Sequence, residues 1–143
     1  MTIKKIHNVL TTKNLSIGYS SKKGNNEIAK NIDLELHKGE LVCLVGRNGI
    51  GKSTLLRTLS KMQPRLDGQI LLENQNIDHF SRIDLAKIIS LVLTERIPSS
   101  NLTVYELIAL GRQPYTNWIG KLLQEDLDHI REAISESHLT ELM

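Results

Sequence analysis

Gly46-Arg47-Asn48-Gly49-Ile50-Gly51-Lys52-Ser53-Thr54 decides the reading of this chain. It fits the pattern G-x-x-x-x-G-K-[ST], entered by the apolar run Leu41-Val42-Cys43-Leu44-Val45 and left by Leu55-Leu56-Arg57-Thr58-Leu59. This spells a buried strand, a glycine-rich loop and a helix. Glycines let such a loop curl until successive backbone N–H groups point inward, and the helix that follows adds the positive end of its dipole. The product is an anion cradle. Lys52 is placed to reach β- and γ-phosphates, and the Ser53 hydroxyl to complete the shell of a Mg²⁺ bridging them, so the motif implies a nucleoside triphosphate. A match arises by chance in roughly one chain of this length in a few hundred, before the strand and helix context is counted.

Working outward, Leu10 to Tyr19 alternates as a strand, with Leu15, Ile17 and Tyr19 on one face. Ser20 to Asn26 is polar and reads as a loop. Ile28, Ile32, Leu34 and Leu36 then mark a second strand, and His37-Lys38-Gly39-Glu40 is a turn into the strand before the phosphate loop. An antiparallel hairpin therefore precedes the site. The helix after the loop carries Leu55, Leu56, Leu59 and Met62 and is expected to stop before Pro64. Pro64 to Gly68 is a turn, and Gln69 to Glu73 a strand.

Ser81 with Asp84 predicts a capped helix to about Lys87, and Ile88 to Leu93 a buried strand. Thr103 with Glu106 spells a capping box, with Leu102 and Leu107 at staple spacing. Leu123, Leu127, Ile130, Ala133 and Ile134 form the core stripe of a last helix. No internal repeat or low-complexity tract interrupts this order.

Composition agrees with a globular domain: 143 residues, hydrophobic 40%, charged 24% and a net charge of +2 with the signs interspersed. No basic footprint points to nucleic acid, and Lys4-Lys5 and Lys22-Lys23 read as solvated surface. The single cysteine, Cys43, reads as a small buried hydrophobe, and one thiol makes no intrachain disulfide. His7, His37, His79, His129 and His138 lack partners at metal-ligand spacing, so no structural metal is expected. No window has the apolar length of a spanning helix, and the chain reads as cytosolic.

Leu15-Ser16-Ile17-Gly18-Tyr19, the loop through Arg57, and Asp67-Gly68-Gln69-Ile70 together resemble the ATP-binding subunits of ABC transporters. Leu102 to Tyr115 is similar to the helical subdomain of importers for iron–siderophore, haem or cobalamin complexes. The resemblance implies an α/β phosphate-loop NTPase fold: a mixed sheet with an antiparallel β subdomain and the start of an α-helical subdomain. It implies the N-terminal portion of one ATP-binding domain, with a nucleotide-binding core at about 1–101 and an incomplete helical subdomain at about 102–143. Tyr19 takes the position that stacks on adenine, where a flat ring meets a flat base. Gly46, Asn48, Gly49, Ile50, Gly51, Lys52, Ser53 and Thr54 take the phosphate roles and Ser53 the Mg²⁺ role; a side-chain contact from Asn48 near the γ-phosphate stays open.

The sequence departs from the family where a glutamine usually meets Mg²⁺ and the attacking water; here stand Thr94 and Glu95, and Thr94 is the candidate catalytic group in its place. A hydroxyl does not copy an amide's reach. The Leu-Ser-Gly-Gly-Gln signature, the apolar run ending in Asp-Glu and the switch histidine are absent from these 143 residues; the family places all three beyond the equivalent of Met143. Leu91 to Glu95 ends in an acid but lacks the aspartate. The expectations are therefore ATP and Mg²⁺ as cofactors, nucleotide binding with negligible hydrolysis by this stretch alone, and an importing ATPase as the longer protein. Its partners would be permease transmembrane subunits, a second ATP-binding subunit in a homodimer and, indirectly, a periplasmic or surface substrate-binding protein, on the cytoplasmic face of the membrane. The competing readings are a soluble ABC ATPase without a transporter, a small kinase or GTPase, and a structural domain; no Asn-Lys-x-Asp motif supports the GTPase.

Overall fold

A computed structural model describes residues 7–22, 24–92 and 102–138. The chain forms two compact units, Met1–Ser81 and Arg82–Met143.

The first unit is built on β1 (Asn8–Ser21), a long strand with neighbours along both edges. β2 (Gly24–Ile32) and β3 (Glu35–His37) share one edge; β4 (Asp67–Leu72) takes the other and is followed by β5 (Gln75–Asn76). Every one of these ladders is antiparallel. The expected hairpin is present, but its loop is shorter than polarity suggested. Pairing continues through Tyr19↔Asn26, Ser20↔Asn25 and Ser21↔Gly24, because backbone ladders do not require apolar side chains.

The inward face of β1 changes parity along the strand. Leu10 and Thr12 are buried at even positions, then Leu15 and Ile17 at odd ones. A bulge makes the switch: Lys13 pairs with Gln69 and Ser16 with Asp67, leaving Asn14 and Leu15 of β1 opposite Gly68 of β4, with Asn14 at φ 48. Gly68 faces the bulge at φ 85, where an added Cβ would lie 2.6 Å from the Leu15 Cα and against the Asn14 carbonyl. Only glycine fits there.

The continuous strand expected from Ile28 to Leu36 is broken at Asp33–Leu34. Thr12 explains the break. Its hydroxyl donates to the Ile32 carbonyl at 2.8 Å and accepts from the Leu34 N–H at 2.9 Å, and Asp33 Oδ1 accepts from the Asn14 N–H at 2.6 Å. These side-chain bonds, with the Thr12 N–H donating to the Leu34 carbonyl at 2.9 Å, bridge the two residues that leave the ladder. The His37–Glu40 turn forms, closed by Glu40 N–H to the His37 carbonyl at 3.3 Å.

Residues 41–45 correct the sequence reading. They form no strand, Leu41 is 93% and Val45 87% exposed, and Cys43 is exposed rather than buried. A parallel strand needs a hydrogen-bonded neighbour, and among the described residues none pairs with this segment. The helix after the loop, α1 (Lys52–Leu59), also ends earlier than expected. Lys61 at φ 58 breaks the helical path well before Pro64, leaving Met62 exposed. Leu55, Thr54 and Thr58 form its buried face, while Leu56 is exposed. The core gathers Leu15, Ile17, Ile70, Leu72 and Ile77, each contributing about 1.5–3 kcal/mol by burial.

The second unit contains α2 (Arg82–Ile88), α3 (Val104–Leu110) and α4 (Gln124–Glu136). The strand expected from Ile88 is absent: Ile88 ends α2, residues 89–92 are irregular, and Leu93 lies outside the described residues. Ile88 and Val92 are exposed, so a short apolar run has again failed to find a ladder. The capping box of α3 is complete, with Glu106 N–H to Thr103 Oγ1 at 3.2 Å and Thr103 N–H to Glu106 Oε2 at 2.7 Å. In α4, Ile130 and Ile134 are buried with Leu127 and Ala133 beside them, but Leu123 is the exposed N-cap, so the stripe starts one turn later.

Asp126 is buried in the first turn of α4. It accepts from the Leu123 N–H at 2.9 Å and from Arg112 Nε at 2.9 Å. These bonds, the Leu123 amide foremost and Arg112 after it, hold the carboxyl below its ordinary value despite burial. Arg112 also lies over the Tyr115 ring, 4.1 Å from its centre.

Candidate functional site

The phosphate loop folds as its glycines require. Gly49 at φ 80 and Gly51 at φ 108 carry the chain through left-handed conformations, and Ile50 N–H closes a turn on the Arg47 carbonyl at 3.4 Å. An added Cβ on Gly51 would lie 2.6 Å from Ile28 Cγ2, so the glycine also lets the loop lie against β2. The first bond within α1 runs from the Leu55 N–H to the Gly51 carbonyl at 2.8 Å. The Lys52, Ser53 and Thr54 amides therefore have no acceptor within the helix. No side chain caps this end and no acidic residue stands in its first turn. The helix start keeps its donors and its positive potential for an anion.

A cavity of ≈ 470 Å³ opens there, lined by Tyr19, Ile28, Asn48, Gly49, Gly51, Lys52, Ser53 and Thr54. This size lies within the range of about 300–1,000 Å³ for small-molecule sites. Six residues named from sequence as binding groups in the loop thus share one wall with Tyr19. Gly46 and Ile50 are not part of the lining: Gly46 contributes its carbonyl to Lys52, and Ile50 is exposed. Thr94 lies outside the described residues. Lys52 Nζ donates to the carbonyls of Gly46 at 2.7 Å and Arg47 at 2.9 Å, which holds the ammonium over its own loop.

Tyr19 is half exposed, and its hydroxyl lies 3.3 Å from Thr54 Oγ1. Two contributors escaped the sequence reading. Ile28 belongs to the cavity wall, and Gln63 Nε2 donates to the Gly18 carbonyl at 2.5 Å, securing β1 beside Tyr19. Neither carries a local signal; their positions follow from β1–β2 pairing and from the turn after α1. Outside the cavity lining, Arg65 grips Asp78 with both terminal nitrogens at 3.0 and 2.6 Å and donates through Nε to the Gly68 carbonyl at 2.8 Å. That fork raises the Arg65 pKa and lowers the Asp78 pKa, the side-chain hydrogen bond being the main cause of each.

The residues present fit a triphosphate with Mg²⁺. Free helix amides and Lys52 complement anionic oxygens, and Ser53 adds one hard oxygen at the helix start. Mg²⁺ is commonly held by one or two protein oxygens together with substrate phosphates and water. Among the described residues no cluster of three or more His, Cys, Asp or Glu could hold a metal ion, so the phosphates would supply much of its shell.

Comparison with known proteins is consistent with this loop and its surroundings. The ABC transporter family profile matches residues 29–142. The chain belongs to the ABC transporter family. An uncharacterised ABC transporter ATP-binding protein of Methanocaldococcus jannaschii is 39% identical, over 93% of this chain and 46% of its own length. The iron(3+)-hydroxamate import ATP-binding protein of Bacillus subtilis is 34% identical over 94% of this chain and 48% of its own length. The ferric enterobactin transport ATP-binding protein of Escherichia coli is 32% identical over 90% and 46%. The chain spans about half the length of the curated relatives it matches. Among solved structures, a metal-chelate type ABC transporter in an inward-facing conformation superposes with a TM-score of 0.66 over 96% of this chain and 47% of that one, at 22% identity, a likeness of fold. The α/β ABC ATPase fold is thereby the fold of this chain, with its antiparallel sheet and helices.

Proposed function

We propose that this chain is the nucleotide-binding portion of an ATP-binding subunit that powers uptake of an iron complex, such as a ferric siderophore or haem, or of cobalamin. The single observation that carries the nucleotide reading is the cavity at the start of α1, where Lys52, Ser53 and Thr54 meet Tyr19. Tyr19 would stack on adenine, the loop amides and Lys52 would hold the phosphates, and Ser53 would complete the Mg²⁺ shell. Bound Mg²⁺ would neutralise charge between the β- and γ-phosphates. Thr94 is proposed at the position that meets Mg²⁺ and the attacking water. The iron-complex reading is supported by the names of the relatives in Bacillus subtilis and Escherichia coli.

The functional division is proposed at about 1–101 for nucleotide and 102–143 for coupling. In the second unit a cavity of ≈ 940 Å³ is lined by Arg82, Ile83, Gln113, Pro114 and Trp118 among others, and Trp118 is 94% exposed. An open apolar patch beside polar groups suits a protein partner, here the permease. No described helix is long and apolar enough to cross a membrane. The relatives' names support a proposed working place that is peripheral, on the cytoplasmic face, with a second ATP-binding subunit as dimer partner and a substrate-binding protein acting indirectly.

The test is a thermal shift of the chain with Mg-ATP, Mg-GTP and no nucleotide, alongside Lys52→Ala. A ligand that binds only the folded state raises the melting temperature. Stabilisation by ATP that disappears in the variant supports the reading. Absence of any shift in the wild type overturns nucleotide binding by this chain.

A further inference from the structure

Tyr19 is constrained at two points. Its backbone is paired with Asn26 at the β1–β2 edge, and its hydroxyl lies 3.3 Å from Thr54 Oγ1, either oxygen being able to donate. Thr54 is itself a fixed point: it is buried in the first turn of α1, and its carbonyl accepts the Thr58 hydroxyl at 2.8 Å. The two residues line the same cavity, yet the Thr54 side chain is directed to the phenol while its backbone amide belongs to the free helix start.

We propose that Thr54 is a positioning residue for base recognition, its hydroxyl holding the Tyr19 ring in the one rotamer that presents a face to an adenine. This rests on the reading of the cavity as an adenine-nucleotide site. A half-exposed tyrosine on a strand has several staggered rotamers, and a ligand that stacks on only one must overcome the entropy of choosing it. The hydroxyl pair makes that choice before the base arrives. It also links base and phosphate recognition physically, because the residue that steers the ring is rooted in the helix turn whose amides face the phosphates.

The test measures dissociation constants for Mg-ATP and Mg-tripolyphosphate by calorimetry on the 143-residue chain as wild type, Tyr19→Phe, Thr54→Val, Thr54→Ser and the Tyr19→Phe/Thr54→Val double variant. Losing a neutral hydrogen bond is expected to weaken ATP about threefold to tenfold in Tyr19→Phe and in Thr54→Val. The double variant is expected to be no weaker than the worse single one, and Thr54→Ser to restore affinity. Tripolyphosphate, which has no base, should bind Tyr19→Phe within about twofold of wild type. ATP affinity that is unchanged in Tyr19→Phe, or single losses that simply multiply in the double variant, overturns the tether. If Thr54→Val does not fold, the Tyr19→Phe comparison of ATP with tripolyphosphate decides alone. Wild type that binds tripolyphosphate as tightly as ATP overturns the tether and leaves the phosphate site standing. Wild type that binds neither overturns the nucleotide reading and the tether with it.

Discussion

Lys52 Nζ donates to the carbonyl of Gly46 at 2.7 Å, across the loop that both residues bound. The cation is therefore engaged by its own backbone, and an arriving phosphate must compete for it. A neutral carbonyl is the weaker acceptor, since a phosphate oxygen carries a charge that adds Coulomb attraction to the ammonium.

This bond is exposed, so its net worth to folding is small. Without nucleotide, Lys52→Ala is expected to melt within about 2 °C of the wild type. Calorimetric scans of the two proteins check this. A drop several times larger would mean that the lysine is a structural clamp and that lost nucleotide binding in the variant reflects misfolding.

Gly68 is the position where one methyl group should do most harm. Its φ of 85 suits glycine, and the bulge backbone of Asn14 and Leu15 occupies the space a Cβ would need. Gly68→Ala should cost about 2–4 kcal/mol in urea unfolding. Gly24→Ala is the comparison: its φ is 121 but nothing lies within 4 Å, so strain acts without collision and the loss should be nearer 1 kcal/mol. Equal losses at the two sites would refute the packing argument.

The Asp126 carboxyl sits below its ordinary value of 3.8 because the Leu123 amide and Arg112 bond its charged form. A depressed pKa contributes stability that is fully present above the unfolded value and is lost as pH falls through the folded one. Asp78, lowered by Arg65, has the same sign. Thermal stability should thus be flat in these two groups above about pH 5 and decline below about pH 4. Asp126→Asn should lower the melting temperature by about 3–8 °C at neutral pH and by less in acid, where the wild type has lost the same charge. A difference that is constant across the pH range would show that the ion pair is not what stabilises α4.

The readable parts of this protein were local ones. The phosphate loop, the helix start after it, the Thr103–Glu106 box and the Asp67–Gly68 entry to β4 each depend on residues within a few positions of one another, so spacing alone specifies their hydrogen bonds and backbone angles. The family likewise follows from motif and order. What spacing could not supply were relations between distant segments. Apolar content marked 41–45 and 88–93 as strands, but a strand exists only where another lies beside it, and none of the described residues does so. The parity switch at Asn14 required β4 as its ruler, and the break at Asp33 required the Thr12 hydroxyl. Leu123 is exposed where the stripe required it buried, and Asp126 is buried against Arg112, which comes from the segment after α3. The amino-acid sequence by itself thus determined the anion cradle and the order of elements, through bonds closed within a turn or two. Only tertiary structure decided that Tyr19 meets Thr54 and that Ile28 joins the wall, because contacts between residues tens of positions apart depend on how the sheet pairs and where the helix lies upon it.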